Sequence, residues 1–528
     1  MPSAPYFDRC RAAKPAPTGD KTPPTSECAS WHKGRARKVA RNPLRVMKFG
    51  GTSVGDAFCI ARVVEIVRAA SGEGDLLVVV SAMSGVTNKL IEAAKRSEMG
   101  DREGVEAILK GLRNQHEAVV SALICSVTER LRIARRLHEL FRECERLCRA
   151  TTLRRNLTPQ MNDAVSSFGE RLAALLLATA LAERGVRSNA VDATEVVVTD
   201  AWHGAAEPFM ESTQKRSHAR LHPLLRQGVV PVVTGFIGAT PEGVLTTLGR
   251  GGSDYSATIL GAALEADEVT IWTDVDGLLT ADPDMVPCAR TIPEISYREA
   301  AELSSFGAKV LHPKTLRAVM HFGIPLWIRN TFAPERRGTM ITPAGLPDRV
   351  GVKALTAISD VALITVASRS PGEIPDVWDR AAATAAAHRV DVVQVSRSSS
   401  PKEICLAVSS SFAKRTVDAL RSNFAPDLPD VEVEEVTLER KLAMVTVVGQ
   451  GMRARSGVVK RFTGALGREN VNIIAITRCP SGTNVSVVVA ESDMQRAVVT
   501  GHMEFELGGA DLGDTSRPTS MAQACDAI

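Results

Sequence analysis

Four short glycine-containing segments carry the side chains best suited to handling phosphate and a small charged molecule. In "KFGGTSVGD", Lys48 precedes Gly50 and Gly51, and Thr52 and Ser53 follow. The glycines let backbone approach an anion closely, and the lysine supplies a point charge for phosphoryl oxygens. Taken alone, a lysine before such a turn is a solvated surface residue. In "TLGRGGSDYSATILGAAL", Gly251 and Gly252 lead into an apolar-periodic helix, so free N–H groups and the helix dipole face any anion held there. Arg250 suits a bidentate carboxylate grip, whereas Ser253 and Asp254 suit helix caps, and for Ser253 in isolation capping is the better reading. Glu170 in "SSFGERLAALLL" heads a strongly apolar helix, where it is either a dipole partner or the mate of a ligand ammonium. In "WTDVDGLLTADPD", Thr273 and Asp274 follow a strand, with a nucleotide contact and a simple Asp-Gly turn as the two readings.

These segments need strands to carry them. Residues 44 to 49, 76 to 80, 229 to 236 and 269 to 273 are continuous apolar runs, separated by stretches with three- and four-residue apolar spacing at 104 to 150 and 170 to 184. Such runs predict a buried parallel sheet between helices, with ligands gathered at the strand ends. Beyond the Pro and Gly of "TPAGLPDRVG" the texture shortens and repeats. "VALITVAS" from Val361 is echoed by "LAMVTVVG" from Leu442, and each copy reads as a β-α-β-β unit.

The formal charge of +4 is carried by the N-terminus. Residues 1 to 46 hold ten Lys or Arg against three acids, leaving 54 basic and 57 acidic residues elsewhere, a net of −3. That is poor ground for nucleic-acid binding. The first 46 residues lack periodicity and read as a disordered basic extension; three acids speak against a transit peptide, and Met47 is a candidate start. No uninterrupted apolar run approaches the roughly 20 residues of a membrane span. Ten scattered cysteines without a CxxC pair suggest reduced thiols in a cytoplasm, with Cys144 and Cys148 as helix residues rather than metal ligands. GxxxxGK[ST] and the protein-kinase signatures are missing, and "VVGQGMRARSG" lacks the third glycine of a dinucleotide loop.

In order and spacing, "MKFGGTSVGD", "VVVSAMSGVTN", "SFGERLA", "GRGGSDYSA", "WTDVDG" and "YREAAELSSFGAKVLHPKTL" resemble the aspartate kinases of the amino-acid kinase superfamily, over residues 47 to 505. The resemblance implies an α/β fold: a mainly parallel sheet sandwiched by helices over residues 47–341, a linker at 342–352, two ferredoxin-like ACT modules of βαββαβ type at 353–435 and 436–505, and a tail at 506–528. It implies transfer of the γ-phosphoryl of ATP to the β-carboxylate of L-aspartate, the first step of lysine, threonine and methionine biosynthesis. Lys48 would neutralise the transferring group, Glu170 and Asp254 would hold the substrate ammonium and Arg250 its α-carboxylate. Thr87, Gly251, Gly252 and Ser253 would complete the substrate pocket. Gly50, Gly51, Thr52, Ser53, Thr273, Asp274 and Lys309 would contact the nucleotide, with Mg²⁺ carried by ATP. No dedicated base is needed, because the carboxylate nucleophile is already ionised at pH 7.

The same resemblance implies a cytoplasmic homodimer or homotetramer assembled through its ACT modules and inhibited by an amino-acid end product. The wording is closest to the kinase half of bifunctional aspartate kinase/homoserine dehydrogenases, so threonine is the favoured effector and lysine the next. With no dehydrogenase segment in the sequence, only the kinase reaction is expected. Two positions depart from the family: Leu279 and Asp284 stand where relatives have an aromatic residue and an arginine, which predicts a weakened or rearranged ATP contact. The alternatives are another amino-acid kinase, such as a glutamate kinase, and a catalytically weak amino-acid sensor.

Overall fold

The computed structural model describes residues 42–308, 310–345, 351–368, 380, 383–384, 392–397, 403–424, 433–453, 455–479 and 481–509. They fall into two compact units, and the chain passes between them at Asn42–Pro43, Ile358–Ser359 and Ala443–Met444.

The larger unit opens with β1 (Leu44–Phe49), α1 (Ala57–Ala70) and β2 (Asp75–Val80). A helical excursion follows: α2 (Val86–Met99), α3 (Arg102–Leu123), α4 (Val127–Arg154), α5 (Pro159–Ser166) and α6 (Phe168–Glu183). The chain continues through β3 (Ser188–Val191), α7 (Met210–Arg226), β4 (Val230–Thr234), the hairpin β5 (Ile237–Ala239) and β6 (Leu245–Thr247), α8 (Gly252–Ala263) and β7 (Glu268–Thr273). Next come β8 (Glu294–Ser296), α9 (Tyr297–Ser305), α10 (Pro313–Phe322), β9 (Leu326–Asn330) and β10 (Thr339–Thr342). Eight of these strands form one sheet of order β3-β4-β2-β1-β7-β9-β10-β8, every neighbouring pair parallel except β9 and β10. This is the mainly parallel sheet between helices that the apolar runs predict.

The runs are continuous because both faces are covered. Along β2, Leu76, Val78 and Val80 join the core with α1 to α6, while Leu77 and Val79 join the opposite core with α7, α8 and α10. Two-residue alternation thus splits one apolar strand between two cores. In that alternation Lys48 faces with Val46 rather than with Met47 and Phe49, on the side of α8. Strand β1 starts at Leu44, within the stretch read as extension, because Leu44 and Val46 are needed in the second core.

The segment Pro159–Glu183, spanning α5 and α6, is long and apolar enough by composition to cross a membrane, which corrects the expectation that no stretch approaches that length. Its most apolar window is 83% buried inside the unit, as a core helix is. Cys144 and Cys148 are buried on the inner face of α4.

The smaller unit contains the second part of β11 (Gly351–Ser368), β12 (Val392–Arg397), β13 (Glu403–Ser409), α11 (Ser410–Phe424) and the first part of β14 (Val433–Gln450). Strand β13 pairs antiparallel with both β11 and β12, and α11 lays Ala413, Val417 and Leu420 on Ile364, Leu406 and Val408. The larger unit ends with the rest of β14, α12 (Val458–Arg468), β15 (Ile473–Arg478), β16 (Asn484–Ala490) and α13 (Met494–Glu504), the second copy of the repeat. Residues 1–41 of the extension and 510–528 of the tail lie outside the described residues.

Helix α8 approaches the sheet closely at Gly261, where a Cβ would lie 2.6 Å from Val269 Cγ2 on β7. Gly261→Val is expected to lower stability by about 1–3 kcal/mol, because overpacking must move α8 off the sheet. Chemical denaturation measures it, and an unchanged midpoint would show that α8 yields freely.

Candidate active site

Side chains that the sequence spreads over two hundred residues converge on a cavity of about 540 Å³ beside the C-terminal ends of β1 and β2. Its lining includes Lys48, Thr87, Glu170, Arg250, Gly251, Gly252, Ser253 and Asp254. Two helices begin at its wall, α2 and α8, each on a left-handed glycine without a side-chain cap, while α6 continues there from α5. A glycine start leaves N–H donors uncovered, where an anion can bind. The cap position of α8 is Gly251 in the left-handed conformation (φ 70°), so Ser253 is not the cap that its residue type suggests; it lies inside the first turn and faces the cavity.

Lys48 is 7% exposed, and its Nζ stands 2.5 Å from Asp254 Oδ1. The distance is that of an ion pair, although the two groups are not aligned as a hydrogen bond. A buried ammonium needs such a counter-charge. Glu170 is 3% exposed; its Oε1 accepts from Ala82 N at 3.1 Å, and Oε2 has no partner. Burial pushes its carboxyl up to about 8, against the opposing pull of the Ala82 and Glu170 N–H groups and of Lys48. Near neutral pH Glu170 therefore favours its protonated form. Arg250 is exposed at the rim and forms no ion pair with a described residue.

The remaining sequence candidates sit beside the cavity rather than in its lining. Gly50 packs against Lys48, its absent Cβ lying 3.6 Å from Nζ, and Gly51 packs on Ala82 O. The Ser53 hydroxyl is engaged by Trp272 O at 3.3 Å and Thr331 Oγ1 at 2.7 Å, so that side chain braces the loop. Thr273 donates to Asp274 Oδ1 at the end of β7. Lys309 lies outside the described residues, whereas His312 nearby packs over Gly251. Among the described residues no three His, Cys, Asp or Glu converge as a metal-holding cluster. Asp284 is exposed, and its N–H donates to Asp282 Oδ1 at 3.0 Å.

Sequence reasoning missed Asn88, Asp163, Ser166, Phe236 and Thr247 in the lining. Asp163, seven residues before Glu170, had the clearest signal, an acid in a short Pro-started helix. Phe236 is a non-glycine residue at φ 69°, a strained conformation legible only in three dimensions.

The second repeat copy bonds to the stretch between β7 and β9 within the larger unit. Glu302 of α9 accepts from Thr483 Oγ1 at 2.9 Å and Asn484 Nδ2 at 2.6 Å. Thr280, in the loop after β7, bonds His502 Nε2 at 3.0 Å, and burial together with Arg290 pushes that imidazole down to about 4. At neutral pH the contact is therefore made by an uncharged histidine.

Residues 43–330 match the amino acid kinase family, and residues 445–505 match an ACT domain. The chain is 34% identical over 470 residues to a chloroplastic bifunctional aspartokinase/homoserine dehydrogenase of Daucus carota, covering 88% of this chain and 50% of that one. It thus spans about half the length of the bifunctional relatives. It is also 34% identical over 462 residues to the lysine-sensitive aspartokinase 3 of Escherichia coli, covering 86% of this chain and 97% of that one. The crystal structure of E. coli aspartokinase III with aspartate and ADP superposes with a TM-score of 0.75 at 31% identity, over 88% of this chain and all of that one. Its lysine- and aspartate-bound T-state gives 0.68 at 31% identity, over 87% and 99%.

Glu170→Gln is expected to raise stability. The native carboxyl (about 8) sits above its ordinary value of 4.5, so the native state holds a proton that the unfolded state loses as pH rises. Stability therefore falls between those values by about 1.4 kcal/mol per pH unit, roughly 3 kcal/mol at pH 7. The variant's advantage in denaturant should be absent at pH 4.5 and grow towards pH 8; a constant difference across that window would contradict it.

Proposed function

The chain belongs to the amino acid kinase family, among the aspartokinases that carry ACT modules, and on that premise we propose that it transfers the γ-phosphoryl of ATP to the β-carboxylate of L-aspartate. The observation that carries this reading is the cavity itself: a buried Glu170 with one oxygen unbonded, an Arg250 that forms no ion pair among the described residues and a buried Lys48–Asp254 pair, gathered at the sheet edge.

Aspartate offers the complementary groups. Its ammonium meets Glu170 and Asp254, ionising Glu170 by supplying the missing counter-charge, and its α-carboxylate meets Arg250 in a bidentate grip. Thr87, Ser253 and the N–H groups at Gly251 and Gly252 close the pocket around the side chain. The nucleotide lies along Gly50 to Ser53, Thr273, Asp274 and Lys309, with Mg²⁺ arriving on its phosphates. Lys48 lies beside the Gly50 turn and within reach of the cavity, where a cation offsets the charge of a phosphoryl group in flight. The chemistry asks for positioning and neutralisation, and an ionised carboxylate attacks without a base.

Feedback would act through the ACT modules, which also hold subunits together as a dimer or tetramer. The hydrogen bonds of Glu302 with Thr483 and Asn484 and of Thr280 with His502 support that reading, because they join the C-terminal module to the stretch that follows Thr273 and Asp274. Lysine stands level with threonine as the effector, since the relative covered almost end to end is lysine-sensitive.

ADP release by purified protein with Mg-ATP should require aspartate, be far slower with glutamate, and be suppressed by lysine or threonine. Preference for glutamate would select another amino-acid kinase, and effector binding without turnover would select a sensor. Asp284→Arg should lower the KM for ATP several-fold by replacing an exposed acid with a phosphate-attracting charge. An unchanged KM would mean that position 284 does not face the nucleotide.

A further inference from the structure

Asp163 is a carboxylate at the cavity wall whose contacts are all with the protein. It is 1% exposed. Its Oδ1 accepts from Thr247 Oγ1 at 2.7 Å, and its Oδ2 receives Thr247 N at 3.1 Å, Gly204 N at 3.0 Å and His203 Nδ1 at 2.9 Å. With four donors already in place, little capacity remains for a ligand.

These four bonds join three separate stretches of chain. Asp163 lies on α5, which runs into α6 and so fixes Glu170. Thr247 ends β6, three residues before Arg250. Gly204 belongs to the loop between β3 and α7, and that loop backs the glycine turn directly: a Cβ on Gly249 would strike Gly204 O at 2.8 Å. The proposed ammonium anchor and the proposed α-carboxylate anchor therefore stand on different elements, with one buried carboxylate spanning them.

We infer that Asp163 is a positioning residue that sets the separation of Glu170 and Arg250, and so governs affinity for the amino-acid substrate without touching it. The inference rests on the aspartate kinase reading above. It separates the two substrates, because the Gly50 to Ser53 turn and the end of β7, where the nucleotide is proposed to lie, receive no bond from Asp163. An asparagine is a poor replacement, because it loses the negative charge that strengthens all four bonds and meets the Thr247 hydroxyl only if that hydroxyl turns from donor to acceptor.

The test is steady-state ADP release with Mg-ATP and aspartate for the wild type, Asp163→Asn, Asp163→Glu and Thr247→Val, with folding checked by circular dichroism. Asp163→Asn should raise the KM for aspartate by about 10- to 100-fold, the scale expected for an ångström-level misplacement, with the KM for ATP changed less than about threefold. Thr247→Val removes one donor and keeps the charge, so it should shift the same constant by about tenfold or less; Asp163→Glu should recover part of the loss. A merely structural carboxylate would move both KM values together or lower only the active fraction, and either pattern overturns the inference, as does an unchanged KM for aspartate. If Asp163→Asn does not fold, Thr247→Val decides by the same split. A wild type without aspartate-dependent turnover overturns the functional reading and this inference together, whereas an active wild type with unaltered variants overturns this inference alone.

Discussion

A buried cation at the edge of an apolar sheet has to be neutralised, and much of the larger unit is arranged around that requirement. Lys48 is almost wholly withdrawn from water, so its charge is tolerable only with Asp254 held 2.5 Å away. The partner lies on a helix that starts some two hundred residues later, and the pair forms only if β1, β7 and α8 are in register. Gly261 lets α8 lie close to β7, and the left-handed Gly251 starts the helix with its N–H groups uncovered towards the cavity.

Glu170 shows the other side of the same low-dielectric environment. A carboxyl in this wall, with one oxygen bonded to a backbone N–H and the other bare, costs stability in the empty protein. A cation placed beside it would offset that cost. At the same wall the glycine starts of α2 and α8 leave N–H donors uncovered.

The stretch between β7 and β9 carries the contacts of the C-terminal module, with Thr280 and Glu302 each bonded to it. The larger unit thus joins its kinase-family part to its ACT domain through a few directional hydrogen bonds. Such bonds are broken or made as discrete alternatives rather than stretched continuously, which is what a switch between two states requires.

Much of this protein follows from local sequence. Apolar runs such as "LLVVV" specify a strand covered on both faces, and the spacing in residues 104 to 150 specifies helices. The glycine turns with Lys48, Glu170, Arg250 and Asp254 name most of the charged groups in the site, because turn chemistry and periodicity act over a few residues. Tertiary structure alone decided the rest. It made Ser253 a wall residue instead of a cap, turned the Ser53 hydroxyl into a brace, set Phe236 at a strained positive φ and brought Asp163 against Thr247 and Gly204. It also gave Glu170 its raised affinity for a proton. Desolvation and pairing distances are sums over groups far apart in the chain, and those sums have no value until the chain has folded.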